Sequence, residues 1–216
     1  MNIFKYWREP MNALTHLIAL LFILPITIVL AYNGYVKGGL PYLFPFLIFS
    51  ASISLLYLAS TVYHMLPAKE NVIKMLKKID HMMIFVLIAG TYTPVCLIKL
   101  NTSFGYTILS IVWTIAILGI ILKIFWINAP RWLSTSIYVI MGWLSVFAFF
   151  PLIRAIELNG ILLLLLGGII YTIGAVIYAT KYPKISSKFF GFHEIFHLFV
   201  IGGSVCHIIF MFKYVL

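Results

Sequence analysis

The segment FHEIFHLFVIGGSVCH, residues 192–207, holds the clearest set of metal-ligand side chains in the sequence. His193 and His197 are four residues apart, so on a helix their imidazoles share one face about 6 Å apart, as two ligands of one metal require. With Glu194 between them the string reads His-Glu-x-x-His, the zinc helix of metalloproteases, in which the glutamate is the general base. Because the string lies inside a long apolar run, a chance match in a buried helix and a metal site within a membrane are the alternatives.

A third histidine and an aspartate are predicted at the same membrane depth, with a serine one helical turn deeper. His64 ends the second apolar run and follows Ser60 by four residues, so the two share a helix face. Asp80 opens the third apolar run. Three imidazoles with an open fourth position are the ligand set of a catalytic zinc, with water in the fourth place. Asp80 is then placed to accept a hydrogen bond from that water or from a ligating imidazole, and Ser60 to act from the membrane side.

The remaining histidines have other predicted roles. His81 adjoins Asp80 but points about 100° away from it on a helix, so we expect it at the membrane interface. His207 lies about 15 Å deeper than His197 by helix rise, so we expect a buried, hydrogen-bonded residue and not a fourth ligand. Further polar residues mark the start of the first apolar run: Glu9, Asn12 and His16.

The elements that carry these residues are predicted to be membrane helices. Hydrophobic residues make up 63% of the 216-residue chain and charged residues 9%, whereas soluble domains carry about 25% charged residues. At about 20 apolar residues per span, the pattern predicts seven spans. They cover approximately residues 13–35, 41–66, 79–100, 106–126, 134–154, 161–180 and 191–212. The predicted fold is therefore an all-α polytopic membrane protein, a bundle of seven transmembrane helices in a single domain over residues 1–216.

The distribution of lysine and arginine predicts how the bundle is oriented. One side carries Lys5, Arg8, Lys69, Lys74, Lys77, Lys78, Lys123, Arg131, Lys181, Lys184 and Lys188, and the other carries Lys37, Lys99, Arg154 and Lys213. The positive-inside rule places the richer side in the cytoplasm, with the N-terminus inside and the C-terminus outside. This bias accounts for the net charge of +10 without a nucleic-acid partner. We expect an integral protein of the cell membrane, with its polar cluster at the cytoplasmic ends of the helices.

Four segments, taken in order, resemble a known family. They are EPMNALTH at 9–16, STVYH at 60–64, Asp80, and HEIFH at 193–197 with His207 beyond. On seven spans with an inside N-terminus, this series resembles the hemolysin III branch of the progestin and adipoQ receptor family, which includes the adiponectin receptors. The resemblance runs over nearly the whole chain, from the first span to the seventh.

The resemblance implies a zinc site and assigns a role to each matching residue. The three zinc-binding histidines of the family correspond to His64, His193 and His197. Its aspartate, which engages the zinc-bound water, corresponds to Asp80, and its serine corresponds to Ser60. The related alkaline ceramidases carry the same set, which implies a zinc-dependent hydrolysis of a lipid amide in which Asp80 and Ser60 are the catalytic residues.

The sequence leaves three functions open. The leading prediction is a zinc hydrolase of a membrane lipid, with a ceramide-like lipid or a fatty acid as its partner. Glu194 stands where the adiponectin receptors carry glutamine, so the general-base role passes from Glu194 to Asp80. The second function is a receptor or regulator in which zinc ties the second and seventh spans together. The third is a pore-forming cytolysin, although few ionisable residues lie in the outer two-thirds of the spans, where a polar path would be needed.

Overall fold

The computed structural model of the chain describes residues 3–185 and 190–216, with side chains from residue 5 onward. Within these ranges a short 3-10 turn is followed by seven long helices and no strand. The helices are α1 Pro10–Gly38, α2 Leu40–Met65, α3 Glu70–Lys99, α4 Ser103–Phe125, α5 Arg131–Ala155, α6 Leu158–Thr180 and α7 Phe192–Val215. Each is long and apolar enough to cross a membrane, which confirms the predicted all-α protein with seven spans.

Three of the helices depart locally from α geometry. Helix α3 passes into a π turn at Val95–Lys99 directly after Pro94, whose ring cannot donate a backbone hydrogen bond. Helix α5 contains a 3-10 segment at Leu144–Ala148, and α7 ends in a π turn at Met211–Val215. Such irregular turns are tolerated in a membrane because neighbouring helices can form hydrogen bonds with the freed backbone groups.

Helix α3 begins at Glu70, well before the predicted start of its span near residue 79. Hydropathy excludes the charged residues before position 79 from the span. No proline or glycine stands among them, so the helix itself starts earlier and includes them. Glu70 and Lys74 form an i, i+4 ion pair at 2.7 Å in the added first turns, a spacing that supports helix. Asp80 therefore lies about three turns inside α3 and not at its first residue.

The bundle is closed by contact between its first and last helices. Sequence neighbours pack together from α1 to α4 and from α6 to α7, α5 contacts α3 and α6, and α1 returns to α7. Gly39 alone joins α1 to α2, with φ at 64° and ψ at −149°, a backbone region open essentially to glycine. Helix α2 supplies much of the core through Phe46, Phe49, Ile53 and Tyr57, all fully buried.

The outer surface of the bundle is apolar, as membrane lipid requires. Large side chains such as Phe22 and Phe147 are more exposed than buried, at 67% and 73%. Contiguous exposed apolar surface of this kind marks contact with a membrane or a partner and is rare on soluble monomers. Of the basic residues on the predicted cytoplasmic side, the structure describes those near the start of α1 and of α3. Lys188 lies outside the described residues. The orientation of the bundle stays a prediction.

The close packing of α6 on α7 depends on one glycine of each Gly-Gly pair. A Cβ on Gly167 would lie 2.6 Å from the ring of His207, and a Cβ on Gly203 would lie 2.6 Å from the ring of Tyr171. The neighbouring Gly168 has no heavy atom within 4 Å of the place where its Cβ would stand. The two members of the first pair are therefore not equivalent.

We expect Gly167→Ala to destabilise the protein by about 1–3 kcal/mol, because the added methyl overpacks a rigid contact. Gly168→Ala is the matched control, and it should leave stability unchanged or raise it, since alanine favours helix over glycine by about 1 kcal/mol. Thermal unfolding of both variants in detergent measures the difference. Equal midpoints for the two variants would contradict this account of the packing.

Candidate metal centre

Three imidazoles from two helices converge at one end of the bundle. His64 lies in the last turn of α2, and His193 and His197 lie in the first turns of α7. One ring nitrogen from each lies within 4.8 Å of those of the other two. His64 and His197 are buried and His193 is partly buried. The structure therefore brings together the three histidines that the sequence predicts as metal ligands.

The spacing of His64 and His193 fits two ligands of one tetrahedral metal ion. Nε2 of His64 and Nε2 of His193 are 3.3 Å apart. Two nitrogens bound to tetrahedral zinc at about 2.0–2.1 Å stand about 3.3–3.4 Å from each other. The ring centroid of His197 lies 5.1 Å from that of His64 and 4.7 Å from that of His193. A group of three protein ligands leaves the fourth tetrahedral position to water or substrate, as in catalytic zinc sites.

The first turn of α1 is tied to the end of α2 beside His64. The backbone N–H of Glu9 donates to the carbonyl oxygen of His64 at 3.0 Å. In the other direction Nδ1 of His64 is hydrogen-bonded to Oε2 of Glu9. Asn12 donates its amide to the same carboxylate oxygen at 3.3 Å. Partial burial would raise the pKa of the Glu9 carboxyl, but the hydrogen bond from His64 and the nearby charge of Arg8 outweigh it and hold that pKa at about 2.

The second turn of α1 contacts His197. The hydroxyl oxygen of Thr15 lies 3.0 Å from Nδ1 of His197 and donates to the carbonyl oxygen of Asn12 at 2.9 Å. The ring of His16 stacks on that of His197, with centroids 3.6 Å apart and planes 14° apart. His16 is buried, and neither of its ring nitrogens has a hydrogen-bond partner among the described residues. Helix α1 thus holds the cluster from a third side.

A cavity of about 250 Å³ runs into the bundle from the histidines. Polar side chains line its outer end, namely His16, Ser60, Asp80, His81, His193 and His197. Farther in, its wall is mainly aliphatic and aromatic, and it reaches His207. By helix rise, the ten residues from His197 to His207 correspond to about 15 Å of depth. The cavity therefore joins a cluster of ionisable side chains to a mainly apolar wall that carries scattered hydroxyls, Thr91, Thr135, Ser145 and Thr172 among them.

Asp80 and Ser60 line that cavity together with His193 and His197 of the three-histidine group. Ser60 is buried, and the side chain of Asp80 is 16% exposed. Oδ2 of Asp80 lies 3.6 Å from Nδ1 of His81, whose Nε2 is 3.1 Å from the hydroxyl of Tyr178. His81, expected at the interface, is thus turned into the bundle, because Tyr178 on α6 offers its ring a partner. The catalytic roles of Asp80 and Ser60 stay predictions.

Glu194 and His207, also in the 192–207 segment, have structural partners. The carboxylate of Glu194 accepts the backbone N–H of Gly191 at 2.8 Å, so it caps the start of its own helix. Nδ1 of His207 is hydrogen-bonded to the carbonyl oxygen of Gly203 at 2.8 Å in the buried interior. The expectation of a buried, hydrogen-bonded His207 is confirmed. The carboxylate of Glu194 thus serves as a helix cap, unlike the glutamate of a protease zinc helix, which is the general base.

Thr15 and His16 belong to the 9–16 motif, but neither is assigned a role at the three histidines from the sequence. One signal was present: Glu9, Asn12 and Thr15 recur every third residue at the start of an otherwise apolar helix. Residues three apart lie on one helix face, so the pattern indicates a polar stripe. Which element the stripe faces depends on how α1 packs, and local sequence does not carry that information.

Comparisons with known proteins agree with this architecture. A family model described as "Haemolysin-III related" matches residues 4–208. The chain is 41% identical over 201 residues to a Hemolysin-3 homolog of Bacillus subtilis (strain 168), covering 93% of this chain and 91% of that protein. It is also 41% identical over 197 residues to Hemolysin-3 of Bacillus cereus, covering 91% of this chain and 87% of that protein. No solved structure matches the chain.

The family match extends over nearly the whole chain, from the turn before α1 into α7. It includes every residue of the polar stripe and of the three-histidine group. The resemblance drawn from the four sequence segments is therefore confirmed. This chain belongs to the Haemolysin-III related family, a family of integral membrane proteins related to the progestin and adipoQ receptors.

Proposed function

We propose that the chain is a zinc-dependent hydrolase of a membrane lipid amide, with a ceramide-like substrate. One observation carries the proposal: two of the three clustered histidines, His193 and His197, line a mainly apolar cavity that also holds Asp80 and Ser60. Structural zinc sites are usually closed by four protein ligands, whereas a catalytic site keeps one position open. A metal site beside an apolar cavity suits a substrate with one polar bond and a long acyl chain.

Each polar group of the cavity would have a separate task. His64, His193 and His197 would hold zinc, which when bound would supply Lewis-acid activation of the amide carbonyl and of the attacking water. Asp80 would orient that water and accept its proton. Ser60 would donate a hydrogen bond to the carbonyl oxygen as negative charge develops there. The apolar part of the cavity would hold the acyl chain and exclude bulk water.

The proposal also fixes where the reaction would take place. With the N-terminus inside, the polar end of the cavity would lie at the cytoplasmic face of the cell membrane. A lipid substrate would reach it from the bilayer between helices and would not need to enter water. The partner would thus be a membrane lipid, and the basic surface would serve orientation without binding nucleic acid.

Two other functions account for part of the observations. A lipid receptor in which zinc ties α2 to α7 would need the three histidines but not Asp80. A pore-forming cytolysin is favoured by the names of the two Bacillus relatives, Hemolysin-3 and its homolog. Each makes a different prediction for the purified protein.

The metal itself is the first test. Elemental analysis of the purified protein should find about one zinc per chain, and His197→Ala should lose it, because two imidazoles bind zinc far more weakly than three. His207→Ala is the matched control, a buried histidine of the same helix that is hydrogen-bonded to Gly203. It should keep its zinc. A wild-type protein without a stoichiometric metal would refute the site.

Hydrolysis is the second test. In proteoliposomes with ceramides and related amides, we expect free fatty acid to be released, and chelation or His64→Ala to abolish the release. Asp80→Asn keeps the side-chain size and removes the base, so turnover should fall by roughly 10²–10⁴-fold while zinc is retained. Full activity in His64→Ala, or turnover that survives chelation, would rule out the mechanism. Zinc binding without turnover of any lipid amide would favour the receptor.

Membrane permeability separates the hydrolase from the cytolysin. Liposomes loaded with a self-quenched dye and containing the protein should retain the dye, with or without zinc, because the described cavity is apolar toward its inner end. Empty liposomes are the control for leakage. Dye release that requires the protein and is unaffected by Asp80→Asn would favour a pore.

A further inference from the structure

The two nitrogens of a metal-binding imidazole have different jobs. One binds the metal through its lone pair, and the other usually donates its N–H to a carboxylate, a carbonyl or a water. The partner of the second nitrogen decides which tautomer forms, and therefore which nitrogen is free for the metal. For His64 and His197 that partner lies on α1, a helix that contributes no ligand to the three-histidine group.

At His197 the hydrogen-bond donor can be assigned by counting hydrogens. The hydroxyl of Thr15 has one hydrogen, and it is donated to the carbonyl oxygen of Asn12, an acceptor only, at 2.9 Å. The contact of 3.0 Å between Thr15 Oγ1 and His197 Nδ1 then needs its hydrogen from the ring. With Thr15 donating to Asn12, the contact is a hydrogen bond only when Nδ1 carries the proton, which leaves the lone pair on Nε2.

At His64 the same assignment follows from the partner. The Glu9 carboxylate accepts hydrogen bonds and donates none, so Nδ1 of His64 is the donor to Oε2. The amide of Asn12 donates to that oxygen as well and helps hold it in place. The free nitrogen of His64 is then Nε2, the atom that stands 3.3 Å from Nε2 of His193. Tautomer and spacing agree on the same ligand atom.

The plane of the His197 ring is also set by α1. His16 stacks on its face at a centroid distance of 3.6 Å, and Tyr57 meets the His16 ring edge-on at 4.9 Å. Tyr57 is in turn held by a hydrogen bond of 2.7 Å to Ser204 on α7. The His197 ring is hydrogen-bonded at Nδ1 and stacked on one face, so it has little freedom to turn its Nε2 away from the three-histidine group.

We propose that Glu9, the residue before α1, and Thr15, in the second turn of α1, are positioning residues that fix the Nδ1–H tautomers of His64 and His197 and so aim both Nε2 atoms at one metal ion. The inference rests on the proposed metal site. It makes metal affinity depend on a helix that donates no ligand. Anything that shifts the start of α1 relative to α2 and α7 would then weaken metal binding without altering the ligands.

A pair of Thr15 variants provides the test. Thr15→Val keeps the β-branched shape but cannot accept from His197, and Thr15→Ser keeps the hydroxyl. Zinc affinity is measured by competition with a chromophoric chelator in detergent. We expect Thr15→Val to bind zinc about 10–100-fold more weakly and Thr15→Ser to bind it nearly as wild type does. If Thr15→Val fails to fold, Thr15→Ala removes the same acceptor with a smaller side chain.

Two further measurements separate positioning from mere stability. The thermal midpoint of the metal-free protein should fall from Thr15→Ser to Thr15→Val only by the loss of the hydrogen bonds of the hydroxyl, so zinc affinity is compared between two folded variants. Nitrogen-15 spectra of the metal-free wild type should show His197 protonated at Nδ1, and Thr15→Val should populate the other tautomer. A wild-type His197 protonated at Nε2, or equal zinc affinity in the valine and serine variants, would overturn the inference.

The inference and the proposed function can fail separately. If wild type binds one zinc that His197→Ala loses, but Thr15→Val binds it as tightly, the metal site stands and positioning by α1 is wrong. If wild type binds no zinc, the proposed function fails. The tautomer measured on the metal-free protein then still decides whether Thr15 sets the state of His197.

Discussion

Burying polar rings in an apolar bundle is costly unless each ring finds a partner, and this cost governs one end of the molecule. Here α1, α2, α3, α6 and α7 bring polar groups to one level, and most satisfy one another. His64 is bonded to Glu9, His197 to Thr15, and His81 to Tyr178. The packing of these helices therefore also determines how the rings are hydrogen-bonded.

The contact between α1 and α2 shows how far this coupling extends. A single residue, Gly39, joins the two helices at one end of the bundle. At the other end the backbone of Glu9 meets the carbonyl of His64, so the pair is fastened at both ends. Helix α2 fills the core with aromatic and aliphatic side chains and presents His64 in its last turn. Core packing and ligand placement thus depend on the same helix.

Family membership and site chemistry answer different questions about this protein. The match to the Haemolysin-III related model establishes what kind of membrane protein this is. The names of its relatives refer to lysis of cells, whereas the cavity beside the three histidines suits chemistry on a lipid. These views are compatible if altered membrane lipid is what a lytic assay detects. The purified protein, and not its family name, decides between them.

The sequence by itself determined the seven spans and the candidate ligands. The number of spans follows from the length of the apolar runs, and the His193–His197 pair follows from helix periodicity. Both can be read along the chain without knowing how the helices pack. Depth was accessible too, because His64 and Asp80 stand at the two ends of one charged stretch of sequence between apolar runs. Helix ends were less accessible, since α3 continues through charged residues that hydropathy assigns to water.

Only the tertiary structure decided which groups face one another. It showed that Thr15 meets His197, that His16 stacks on it, and that Glu194 caps its own helix. It also separated Gly167, pressed against His207, from Gly168, which faces open space. Each of these depends on the rotation of one helix about its axis relative to another. Helix periodicity states which residues share a face, and only packing states what that face meets.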